Sequence, residues 1–164
     1  MNTLSRILGL AAIAGGALRI LDSFTTQSLT ATTLAALYFA TDVLLLLGIA
    51  GIVWSRRTTL GMAGVIGSAT FAFGIVLIRI SAFGMLGTNG YQLGAAIALL
   101  GLAILAAEEL VRNERVSAAA VFWLAALAFG IVGTLGGMAS IMMIAAGVAF
   151  GAGFVLAGRQ VLAV

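Results

Sequence analysis

The chain has 164 residues, 63% hydrophobic and 8% charged, and its mean hydropathy of +1.24 lies far outside the soluble range. Eight arginines against five acids give a net charge of +3, but the arginines flank apolar runs, so they report membrane orientation and not nucleic-acid binding. The chain contains no cysteine, histidine, lysine or proline; this excludes thiol or imidazole chemistry, a thiolate or His-ligated metal, a lysine Schiff base and a proline-broken helix.

Six apolar stretches follow in order, and together they predict one all-α polytopic membrane domain over residues 1–164. The first covers residues 4–21. Its Arg6 and apolar run resemble a signal peptide, but no small-residue cleavage site and polar mature segment follow, so it reads as a retained helix. The second, residues 34–54, is LAALYFATDVLLLLGIAGIVW, long enough to cross a bilayer core of roughly 30 Å and interrupted by one acid, Asp42. The third to sixth cover residues 60–83, 93–111, 118–135 and 141–162.

The connections alternate in charge. Residues 22–33 are rich in Ser and Thr and contain no base, residues 84–92 carry the Asn89-Gly90 turn signal, and residues 136–140 are uncharged. On the other side lie Arg6, Arg56, Arg57, Arg112, Arg115 and Arg159, leaving only Arg19 and Arg79 opposite. Positive-inside counting therefore predicts a protein of the inner (plasma) membrane with both termini in the cytoplasm.

A 3+3 inverted repeat, with halves at 1–83 and 91–164, is suggested by an offset of 80 residues. It aligns Gly67, Ala69, Ala72 and Arg79 with Gly147, Ala149, Ala152 and Arg159. Three spans per half would force the halves to insert in opposite senses, as in inverted-repeat transporters. The competing explanation is chance similarity between Gly/Ala-rich helices.

The polar focus is Asp42. A lone carboxylate at this depth costs roughly 2.5–3.5 kcal/mol on insertion scales. It needs a partner, and Arg79 and Arg19 are the candidates. Arg19 and Asp22 are three residues apart on one helical face, which leaves Arg79 as the preferred partner of Asp42. Asp42, Arg79, Arg19 and Asp22 together form the predicted binding site or ion path, open to the outer face. The alternative is an ion pair that only fixes helix packing. Thr41, Ser68 and Thr70 are expected to bond back to their own helices. Glu108, Glu109 and Arg112 read as interfacial charges closing the fourth helix, with Glu108–Arg112 and Glu109–Arg112 pairs allowed by spacing. Trp54 and Tyr91 fit interfacial anchors, and Trp123, Phe71, Phe73, Phe122, Phe129, Phe150 and Phe154 fit packing or lipid contact. Small-residue spacings at Gly133/Gly137, Gly147/Gly151 and Gly61/Gly64/Gly67 permit close helix approach, within the bundle or in a homodimer.

No catalytic residue, cofactor or metal is expected. Asp22 and Asp42 differ in depth, unlike the paired acids of an intramembrane protease, and five acids in all are too few for a phosphotransferase metal cluster. The hydropathy pattern resembles that of small multi-pass bacterial membrane proteins, a likeness that implies no activity. Two functions follow. One is a small transporter or channel-like protein for a solute or ion, with an outward polar pocket around Asp42 and Arg79. The other is a non-catalytic subunit that binds lipid or a partner membrane protein through its Gly-rich faces.

Overall fold

The computed structural model describes residues 3–25, 30–82, 87–112, 117–135 and 139–163. These form six helices, α1 (Thr3–Thr25), α2 (Ala31–Ser55), α3 (Met62–Ala82), α4 (Gly87–Arg112), α5 (Ala118–Leu135) and α6 (Ala139–Leu162). Each is long and apolar enough to cross a membrane, and no strand occurs among the described residues. In hydrocarbon every backbone N–H and C=O must be satisfied within its own segment, which a proline-free apolar helix does. The protein is an all-α, multi-pass membrane protein.

The largest departure from the predicted boundaries is at α4. It begins at Gly87 and carries the Asn89-Gly90 turn signal inside the helix. Turn propensity is a weak prior, and here the packing of Gly94 against Gly74 on α3 outweighs it. Around the first connection α1 continues to Thr25 and α2 starts at Ala31. Thr30 caps α2, its hydroxyl accepting from the Thr33 N–H at 3.3 Å. Leu60 and Gly61, expected in the third helix, precede α3. Glu114, Arg115 and Gly137 lie outside the described residues.

Packing is uneven. α3 and α4 form one tight hairpin, while α1, α2, α5 and α6 form a second group around the α1–α6 contact; the backbones of the two approach at the α4–α5 and sparser α2–α3 seams, and Phe71 reaches across to α6. Both tight pairs use the same device. Gly16 and Gly151 face each other so closely that a Cβ on either would lie 2.4 Å from the other's carbonyl oxygen, and Gly9 faces Gly158 in the same way. On the hairpin, Gly67 opposes Gly101 and Gly74 opposes Gly94, with such distances of 2.6–2.9 Å. Lipid tails are as apolar as leucine, so backbone approach and dispersion hold these helices together.

In each helix the paired glycines are seven residues apart. Those of α3 precede those of α6 by 84 residues, and those of α1 precede those of α4 by 85. The 80-residue register instead matched Gly67 with Gly147, which packs against Ser23 of α1. The interhelical contacts shift the correspondence by one helical turn.

Between the ends lies an aromatic layer. Phe71, Phe154 and Trp123 are fully buried, and with Phe150 their ring centroids stand 5.3–6.1 Å apart. These four rings pack inside the bundle and do not face lipid. Replacing Gly101 by Ala would place a Cβ 2.3 Å from the Phe71 amide nitrogen. Gly101→Ala is expected to destabilise the bundle by about 1–3 kcal/mol, whereas Gly130→Ala, whose nearest neighbour is a side-chain atom at 3.4 Å, is expected to be neutral or stabilising. Thermal unfolding of the two variants in one detergent makes the comparison.

Candidate functional site

In the half of the bundle away from Thr3 and Leu162, α1, α2 and α3 bring the four predicted site residues close together. Asp42 lies about 16 Å along α2 from Ala31, near the helix midpoint and deeper than the span boundaries implied. Its Oδ2 accepts from Arg79 Nε of α3, and the two side chains are 13% and 22% exposed. A charge-assisted bond of this kind offsets much of what either charge costs in hydrocarbon.

Thr41, the preceding residue, points toward α1. Its hydroxyl donates to Asp22 Oδ2 at 3.2 Å and not, as the sequence had suggested, to its own helix. Asp22 is 1% exposed, and its Oδ1 has no hydrogen-bond partner. The expected Arg19–Asp22 pairing takes a different form: Arg19 Cζ lies 5.9 Å from the Phe150 ring centroid, a cation–π contact with α6. Adjacent positions on α2 thus tie it to two helices through two acids.

The opposite end holds a second polar cluster. Glu108 and Glu109, at the end of α4, are 8% and 4% exposed, so the bundle buries both. Glu108 Oε1 accepts from Arg112 Nε at 2.9 Å and from the Gly61 N–H at 2.5 Å. Glu109 forms an ion pair with Arg56. Arg56 Nη2 also donates to Gln160 Oε1 at 2.6 Å, and Gln160 Nε2 donates to Ser117 Oγ at 3.4 Å. Burial lowers the Arg56 guanidinium from its ordinary range, but arginine stays charged at physiological pH, so the contact with Glu109 is ionic. The i,i+3 and i,i+4 spacings make Arg112 a neighbour of both acids, so the pairing of Glu109 with Arg56 has no local signal in the sequence.

Asp42 and Arg56 are 14 residues apart on α2, about 21 Å and close to four full turns, so they share one face. Both reach the α3–α4 hairpin. At one end the acid is on α2 and the base on the hairpin; at the other the charges are exchanged. Between the two ion pairs, the aromatic layer fills the bundle.

The chain matches no protein-family model, and no curated protein or solved structure is significantly similar to it.

The Asp42–Arg79 pair is expected to be energetically coupled. Asp42→Asn and Arg79→Gln should each destabilise the bundle in detergent, and the double variant should be at least about 1 kcal/mol more stable than the sum of the singles implies. Additive effects in the thermal-unfolding cycle would mean that the contact contributes nothing.

Proposed function

We propose that this protein is a small transporter or channel-like protein of the inner membrane, with no catalytic step of its own. The observation that carries this reading is the pair of ion pairs closing opposite ends of the seam between α2 and the α3–α4 hairpin. A bundle built only for stability gains little from buried ion pairs, since apolar residues of similar size serve as well or better. Ion pairs do suit contacts that must break and re-form, because their breaking exposes charged groups that water or a charged solute can satisfy.

In this reading the hairpin moves against the other four helices. Opening the Asp42–Arg79 contact exposes an outward pocket bounded by Asp42, Arg79, Arg19 and Asp22. Opening Arg56–Glu109 exposes the cytoplasmic side, and the aromatic layer blocks a continuous path when both are shut. Arg6, Arg56, Arg57, Arg112 and Arg159 share the end where the described chain starts and stops, which supports a cytoplasmic location for both termini. The matched glycine pairs, offset by 84 and 85 residues, support an inverted repeat, the arrangement in which alternating access comes from rocking one unit against another. A small solute or ion carrying charge of either sign would find a counter-group in the outward pocket.

The alternative, a subunit binding partners through Gly-rich faces, is less well supported. Gly61, Gly64 and Gly67 face α4, and Gly147 and Gly151 face α1, so these surfaces are occupied within the bundle.

The natural chain has no cysteine, which makes single-cysteine labelling clean. Thr41→Cys and Ser117→Cys report on the two ends with a membrane-impermeant maleimide applied from either side. Arg56→Gln, which weakens the cytoplasmic contact, is expected to raise labelling at position 117 and lower it at 41. Asp42→Asn should do the reverse. If each variant changes only its own end, the two ends are not coupled and the alternating-access reading fails.

A further inference from the structure

The sparse α2–α3 seam leaves a groove of about 490 Å³ at the arginine-rich end of the bundle. Its walls are Ile49, Ala50 and Val53 of α2 and Val65 and Ala69 of α3, all aliphatic. At its mouth Arg57 Cζ lies over the Trp54 ring, 4.7 Å from the centroid. Unlike Arg56, Arg79 and Arg112, Arg57 forms no ion pair with a carboxylate among the described residues. Ser68 also lines the groove; it is 6% exposed, and its hydroxyl has no hydrogen-bond partner.

We propose that this groove is a binding site for an anionic phospholipid, with one acyl chain between α2 and α3 and the phosphate on Arg57. The chemistry matches at each level. The aliphatic walls suit a hydrocarbon chain and no polar solute. Trp54, in the last turn of α2, and Arg57, two residues beyond its end, lie where the headgroup layer begins, and a guanidinium is a bidentate phosphate donor. A cationic pocket between membrane helices is a recurrent site for anionic headgroups. Net positive charge alone would attract such lipids to any of the exposed arginines. This site differs in offering an apolar slot directly beneath one of them.

The site does not depend on the transport reading. A static bundle would bind the same lipid, so transport and lipid binding can fail separately.

Native mass spectrometry of the purified protein, titrated with phosphatidylglycerol and in parallel with phosphatidylcholine of the same chains, provides the test. One phosphatidylglycerol is expected to bind in preference to phosphatidylcholine. Arg57→Gln should weaken phosphatidylglycerol binding about fivefold and leave phosphatidylcholine unchanged. Arg159→Gln, at an exposed arginine of the same end, should leave both unchanged. Ala50→Phe, which fills the slot from the wall, should remove binding of both lipids; Ala50→Val, a smaller intrusion, should weaken it partially if the larger variant proves unstable. Equal binding of the two lipids, or an equal loss in Arg57→Gln and Arg159→Gln, would overturn the assignment.

Discussion

A charge that enters the membrane with a helix has to find its counter-charge inside the protein. That constraint organises this structure. Asp42 and Arg56 share a face of α2, and each is satisfied only if the α3–α4 hairpin presents the opposite charge at the same depth. The hairpin is therefore fixed in height and rotation by two electrostatic contacts about 21 Å apart. The apolar contacts between them are sparse at α2–α3 and would tolerate sliding. Registration and cohesion thus come from different interactions. Ion pairs set where the hairpin sits, and glycine contacts hold each tight pair together.

The division of labour also explains the placement of small residues. Glycine is concentrated where backbones touch, at α1–α6 and α3–α4, and the large rings occupy the space where the two groups face each other. Phe71 of the hairpin contacts Phe150 and Phe154 of α6. Ring-on-ring packing of this kind has no register of its own, so the ion pairs supply it.

The number and order of helices were legible because length and hydropathy alone specify a membrane span, and α5 was read to its end residues. The Asp42–Arg79 contact was legible for a related reason. Few charges lie inside the spans, and energetics leave each a short list of partners. Glu109 was misjudged because its partner, Arg56, is the cap of another helix and leaves no local pattern. Thr41 was misjudged because a hydroxyl can be satisfied by its own helix, so nothing in the sequence demands a distant acceptor. The glycines that face each other are not the ones the 80-residue offset aligns, because a chain with 22 glycines offers several alignments of similar quality.

The separation of Asp42 from Arg79 has a consequence for biosynthesis. The two residues are 37 positions apart, so α2 reaches the bilayer with its acid before α3 brings the arginine. For that interval the helix must enter the bilayer on its own merits. On insertion scales one aspartate is offset by roughly six to ten leucine-like residues, and the run Leu44, Leu45, Leu46 and Leu47, with Ile49, Ile52 and Val53 behind it, supplies a number of that order. The leucine run next to Asp42 thus has a temporal role. It carries the acid into the membrane before the partner that will neutralise it arrives there.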